Sequence, residues 1–269
     1  MNIVNVANWS QLNEELFSET WDPKLKRYRS TFAYRGLNVH TYRLENGLTR
    51  LGTPYDGLEK NLIKQFKKYA HSHVTERSSE WHWISVAQHH GLPTRLLDWT
   101  YSPFVALHFA TNSIDDFSSD SAVWKVNYAQ VHDLLQDEHR TILKDFGSTI
   151  FSIEALAESI ENLEVLDSKH NEMMGTDIAV FFEPPAIDDR IVNQFAYFSA
   201  LSDPKLSMDD WLSRPLIAGK VDAKKIIIPA ALKWEIRDKL DQSNINERVL
   251  MTGLDGLCAW LRRHYKPVP

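Results

Sequence analysis

Between Ser102 and Ala110 the chain writes a helix that is apolar on nearly every side. Ser102 supplies an N-cap and Pro103 the first helical position, and Phe104-Val105-Ala106-Leu107-His108-Phe109-Ala110 follows without a solvent face. Such a helix belongs at the centre of a fold, with structure packed on it from more than one side. Directly before it stands the opposite kind of sequence. Gln88-His89-His90-Gly91-Leu92-Pro93-Thr94-Arg95-Leu96-Leu97-Asp98-Trp99-Thr100 crowds imidazoles, a guanidinium, a carboxylate and an indole into a short connection. Polar groups wedged between apolar elements are hydrogen bonded or cost stability. The run therefore builds a site or locks a turn.

Around this centre the pattern predicts short strands and helices out of strict alternation. Ser10 caps a first helix with Leu12, Leu16 and Phe17 on its apolar face. Thr31 to Arg35 reads as a strand ending at Gly36. A loop with Gly47, Gly52, Pro54 and Gly57 leads to a helix with Leu58, Leu62, Phe66 and Tyr69 on one face. A helix from Glu80 to His90 stops at Gly91, which suits a left-handed C-terminal cap. Ser121 to Tyr128 alternates with a period of two and reads as a half-buried strand. Ala129 to Lys169 is acidic and helix-prone. Ile178 to Phe182 and Ile226 to Ile228 read as buried strands, and Pro229 opens a helix carrying Leu232, Ile236 and Leu240. A last helix, Asp255 to Tyr265, presents Leu257, Cys258 and Leu261 inward. The expected class is α+β: a single domain over residues 1–269, with a small mixed sheet flanked by helices. Its core spans about 31–128 and 178–265, with 129–177 as a helical insertion.

Composition narrows the function classes. A formal net charge of −6 with mixed signs gives no broad footprint for duplex nucleic acid. One cysteine, Cys258, excludes an intrachain disulfide framework or a cysteine-based zinc site. The histidine spacings at His71/His73 and His89/His90 do not suit a metal. No apolar run approaches the roughly 20 residues of a membrane span, and the first residues do not read as a secretory signal. The expected setting is cytoplasmic, with no membrane partner. Neither a P-loop, a GxGxxG nor a GxSxG is present.

Arg35, at a strand end beside Gly36, suits either a phosphate or carboxylate clamp or a structural ion pair. Arg95 and Asp98 suit a buried salt bridge or, with Trp99 stacking on a base and Thr100 and Ser102 offering hydroxyls, a nucleotide site. Downstream, Arg190 and Gln194 are four apart and share a face if the segment is helical. Gln194 can hold a ribose hydroxyl but does not ionise, and Glu183 is the nearest ionisable substitute.

These segments together resemble the FRG domain family, whose Phe-Arg-Gly motif stands here as Tyr34-Arg35-Gly36. The resemblance continues through Leu44, Arg50, Glu59 and Phe66 and is strongest from Trp81 to Ala110. It resumes after Pro185 in "RIVNQFAYF" and ends at "LMTGLDGLCAWL", where Met251-Thr252-Gly253 replaces the usual Phe-Pro-Asp. A more distant similarity is to arginine-type mono-ADP-ribosyltransferases, through Tyr34-Arg35-Gly36 and through Leu97 to Ser102 followed by Val105 to Ala110. That similarity implies a split sheet and an NAD-using transferase or NAD glycohydrolase, acting as a toxin or anti-phage defence effector. Arg35, His89, Asp98 and Gln194 would form the catalytic group, and Tyr34, Arg35, Arg95, Trp99, Thr100, Tyr101 and Ser102 would hold NAD. NAD is substrate, no metal is called for, and the partners implied are an RNA or protein acceptor and an antitoxin or regulatory protein. The transferase Glu-x-Glu has no counterpart, which leaves Gln194 or Glu183 for that place. The other readings are a nucleotide- or nucleic-acid-binding module, or a nuclease, without NAD chemistry, and a buried network that only holds the fold.

Overall fold

A computed structural model describes residues 2–52, 57–74, 79–169 and 177–267. Pro54 of the glycine-rich loop and residues 170–176 of the expected insertion lie outside the described residues. Seven strands form one sheet: β1 (Asn2–Asn5), β2 (Phe32–Leu37), β3 (Leu97–Thr100), β4 (Ser121–Asn127), β5 (Ala179–Phe182), β6 (Ala196–Leu201) and β7 (Ala223–Ile228). Their spatial order is β1-β7-β4-β2-β3-β6-β5. β1 runs parallel to β7, and the other neighbours are antiparallel, so the sheet is mixed and flanked by helices as expected.

The helices that bear on the site are α1 (Trp9–Phe17), α2 (Leu58–Ala70), α3 (Glu80–His89), α4 (Pro103–Thr111), α5 (Lys233–Gln242) and α6 (Gly253–His264). α4 is the central helix its sequence demands. The Ser102 hydroxyl accepts from Val105 N, Pro103 stands at the first position, and Val105, Ala106, Leu107, His108, Ala110 and Thr111 are all buried. Burying a Val or Leu completely stabilises by about 1.5–3 kcal/mol. α3 ends as its glycine predicts. Gly91 has φ 84°, its N–H donates to Gln88 O, and Leu92 N donates to Ala87 O, the two bonds of a Schellman cap.

One sheet face carries Ala33, Trp124, Val126, Trp99, Tyr197 and Phe181 in a single apolar cluster. The other carries two. Phe32, Tyr34, Val123, Ile226 and Ile228 pack with α4 and α5. Val180, Phe182, Phe198 and Ala200 pack with Trp81 and Ile84 of α3 and with Leu135, Leu143, Leu156 and Leu166. Those last four leucines belong to the expected insertion, which thus completes a core.

β2 and β3 are the weak seam of the sheet. Their register joins Tyr34 with Thr100 alone, whereas β2 and β4 pair over six residues. From that pair toward Leu37 on β2 and Leu97 on β3 the two strands are not in register contact, although they belong to one continuous sheet. On the far side of β2 the fit is tight: a Cβ on Gly36 would stand 2.0 Å from Ala106 O and 2.5 Å from Ala110 N. Gly36 sits inside β2 rather than at its end, and it lets α4 lie on the strand.

Several local expectations are corrected. Asn8, not Ser10, caps α1, its side chain accepting from Gln11 N at 3.0 Å. α2 buries Glu59 and Ile63, while Tyr69 is exposed. β4 is buried on both faces, because Lys125 of its polar set donates to Ser18 O and, at 3.1 Å, to Ser18 Oγ at the end of α1. α6 turns Gly256 and Arg263 inward and leaves Cys258 and Leu261 exposed. Arg263 is held there by Glu247 at 2.7 Å and Asp241 at 2.6 Å. A strand that sequence reasoning missed, β6, follows a five-residue helix, Asp189–Asn193.

Candidate functional site

Where β2 and β3 part, a cavity of about 890 Å³ opens over β2, β3 and β6. That is within the roughly 300–1,000 Å³ of small-molecule pockets. Its walls come from the Gly47–Arg50 turn, the end of α3 with its cap, α4 at Phe109, and the segment Asp188–Gln194. Arg35, His89, Asp98, Thr100 and Gln194 all line it, so residues far apart in the chain converge as expected.

Arg35 enters the parting itself. Its Nη1 donates to the Asp98 carbonyl and lies 3.7 Å from Asp98 Oδ2. Burial pulls its pKa down, with Asp98 opposing and Arg50 adding to the fall. Nε of Arg35 and Nε of Arg190, both in the cavity wall, are buried without a hydrogen-bond partner among the described residues. The Asp98 carboxylate is fixed from α3: Gln88 Nε2 stands 3.0 Å from each of its oxygens. Gln88 Oε1 in turn accepts from Thr94 Oγ1 at 2.7 Å, and Thr94 Oγ1 accepts from Leu96 N at 3.0 Å. The polar run is thus both a locked turn and a wall of the cavity.

A second hydrogen-bonded couple faces the same space. His89 Nε2 lies 2.7 Å from Asp188 Oδ2, and Asp188 Oδ1 caps the short helix by accepting from Ile191 N at 3.1 Å. Burial raises the Asp188 pKa, but the hydrogen bonds from Ile191 N and the His89 ring outweigh it and hold the group below its ordinary value. Asp188 escaped the sequence reading. The signal was present as Asp188-Asp189-Arg190-Ile191, an N-cap pattern whose cap leaves one carboxylate oxygen free.

Other expected site residues direct their side chains elsewhere, although Tyr34 and Trp99 also border the cavity. Successive side chains on a strand point to opposite faces. Asp98 faces the cavity, so Trp99 inserts into the core on the other side, its Nε1 donating to Ser199 Oγ at 2.8 Å and its ring against Phe181. Its indole is not placed to stack on a ligand in the cavity. Tyr34 contributes only its strand, because its hydroxyl is buried and donates to Leu16 O. Tyr101 packs against Tyr197, and Ser102 is spent on capping α4. Arg95 lines a different cavity, of about 950 Å³, where it is buried against Glu59 at 2.6 Å and pairs with Asp167. Burial lowers its pKa, and the two carboxylates more than reverse the effect. Of its two sequence readings, the buried salt bridge holds, with Glu59 and Asp167 rather than Asp98 as partners.

Gln194 is at the cavity edge, but its Nε2 donates to Leu250 O at 2.8 Å. Its own carbonyl accepts from Thr100 Oγ1 at 2.6 Å, so it ties β3 to the segment before α6. Phe195, next in the chain, has φ 47°, a strained turn into β6 for a side chain of this size. Glu183 is outside the cavity, beside Tyr197 and Tyr128, where burial raises its pKa. The carboxylates inside are Asp98 and Asp188. Among the described residues no cluster of three or more His, Cys, Asp or Glu could hold a metal ion, and no helix is long and apolar enough to cross a membrane.

Residues 30–119 match a family model described as the FRG domain. The match takes in Tyr34-Arg35-Gly36 and the whole run from Gln88 to Ala110, that is, β2, β3, α3 and α4. It stops before Asp188, Gln194 and the last helices. No curated protein and no solved structure matches the chain.

Proposed function

We propose that this FRG-domain chain uses NAD as substrate, in the manner of an ADP-ribosyltransferase or NAD glycohydrolase, and that the cavity between β2 and β3 is where NAD binds. One observation carries the reading. Two guanidinium groups, Arg35 and Arg190, border one cavity, and each has a buried Nε without a hydrogen-bond partner among the described residues. A buried donor without a partner seeks an acceptor, and a pyrophosphate offers several acceptor oxygens to such a pair. Arg50, on the same wall, adds a third positive charge. The gap between β2 and β3 beside the Tyr34–Thr100 pair supplies the opening, and Asp98 stands ready for a ribose hydroxyl.

Cleaving the nicotinamide–ribose bond builds positive charge on the ribose, which a nearby carboxylate stabilises. Neither Gln194 nor Glu183 is free for that, so the task falls to Asp98 or Asp188. Incubation with NAD should release nicotinamide. Absence of both nicotinamide and labelled product, with RNA and protein acceptors supplied, would overturn the reading. A second reading, a nucleotide-binding module or nuclease, draws on the same two arginines, whose unused Nε donors suit any phosphate. Thermal shift separates the two: NAD and ADP-ribose should raise the melting temperature more than mononucleotides or short RNA.

A further inference from the structure

The geometry points to His89 and Asp188 as a general-base couple that activates water or a hydroxyl acceptor, so that an oxygen nucleophile rather than an arginine side chain receives the ADP-ribosyl group. The inference rests on the NAD reading above and adds to it the chemical class of the acceptor.

The tautomer follows from the partners. Asp188 is held ionised by Ile191 N–H and the His89 ring, so its oxygens only accept. Nε2 of His89, 2.7 Å from Asp188 Oδ2, therefore carries the ring proton. Nδ1 makes no hydrogen bond among the described residues. An imidazole oriented through one nitrogen by a carboxylate, with the other nitrogen unused, is the arrangement that takes a proton from an attacking hydroxyl.

Both residues are anchored. The His89 side chain is only 7% exposed, and α3 ends there in the Gly91 cap. Asp188 is fixed as the cap of the Asp189–Asn193 helix. Both line the cavity that Arg35 and Arg190 border. The step balances without a further reagent. The acceptor oxygen bonds to the anomeric carbon of the ribose, and the carbon–nitrogen bond to nicotinamide breaks. Its electron pair neutralises the pyridinium, and the acceptor's proton goes to His89 Nδ1. With water as acceptor the products are ADP-ribose, nicotinamide and a proton.

The test uses the full chain with NAD, following nicotinamide release and the fate of ADP-ribose in His89→Ala, His89→Gln and Asp188→Asn. Wild type should yield free ADP-ribose. Each variant should lose about 100-fold or more in kcat, within the usual range for general-base catalysis, with KM for NAD little changed. Added imidazole should restore part of the His89→Ala rate, which a merely structural histidine would not allow. Wild-type turnover with kcat unchanged in the variants overturns the couple and leaves the NAD reading standing. Loss of kcat without imidazole rescue, together with a matching fall in melting temperature, also overturns it. Failure of the wild type to bind or cleave NAD removes the reading and the inference with it.

Discussion

The Ala106 carbonyl oxygen lies 2.0 Å from where a Cβ on Gly36 would stand. The contact is backbone to backbone, so no side chain can turn aside to admit a methyl group. Gly36→Ala must push α4 off β2 or deform the strand, and overpacking of this kind costs about 3 kcal/mol or more. Chemical denaturation should show a loss of that size. A variant within about 0.5 kcal/mol of wild type would mean that α4 does not sit where described.

Arg35 and Arg95 should separate cleanly. Arg95 is buried against Glu59, and removing one partner of a buried pair typically costs about 3–5 kcal/mol. Arg95→Ala should therefore unfold earlier in denaturant, and at temperatures where it stays folded it should bind NAD as wild type does. Arg35→Ala should weaken NAD binding by tenfold or more, measured by calorimetry. The reverse pattern would place the ligand in the Arg95 cavity.

Asp98 tests whether the polar run is only a structural lock. Its side chain is 59% exposed, so its ion pair with Arg35 contributes little to folding. Asp98→Asn should shift the denaturation midpoint by the equivalent of less than about 1 kcal/mol while lowering NAD turnover at least tenfold. A large stability loss with turnover intact would make the run a lock and nothing more.

Acid should destabilise the protein in two overlapping stages. Burial, aided by Arg237, holds His108 at about 3 against an ordinary 6.5. Between those values the unfolded chain takes up a proton that the folded one refuses, so stability falls as pH drops from 6.5 toward 3. Each such group contributes up to about 1.4 kcal/mol per pH unit. Glu247, which burial alone would raise, is held down at about 2 by Arg263 and Arg237. Its contribution is present above its ordinary 4.5 and lost as pH falls through about 2. His108→Gln keeps an acceptor for Arg237 and should flatten the stability curve between pH 6.5 and 4.5. Buried His132, held at about 4 by burial, should keep a residual slope. An unchanged curve would show that His108 is not buried neutral.

What the sequence made legible was local chemistry. The Gly91 cap and the Ser102-Pro103 opening depend on a few neighbouring residues, and both stand where expected. The convergence of Arg35, His89, Asp98 and Gln194 was legible through the resemblance, because it requires β2 and β3 to be neighbours. What escaped was set by distant partners. Glu59, 36 residues away, draws Arg95 into another cavity. The carbonyl and hydroxyl of Ser18, 107 residues away, pay for burying Lys125, so alternation along β4 did not mean a wet face. In α6, Arg263 goes inward ahead of Leu261 because two carboxylates await it. The placement of Trp99 was recoverable. Once Leu97–Thr100 is a strand, Asp98 and Trp99 cannot share a face.

The sheet is joined across one seam by a single residue pair, Tyr34 with Thr100, which makes that seam the joint between two halves. On one side stand β1, β7, β4 and β2 with α4 and α5 on their back; on the other, β3, β6 and β5 with α3. The Arg35 guanidinium bridges the joint to the Asp98 carbonyl, close to the only register pair. The cation that would meet an anionic ligand therefore also spans the joint, so a substitution at Arg35 changes the contact across the seam and the charge of the cavity together.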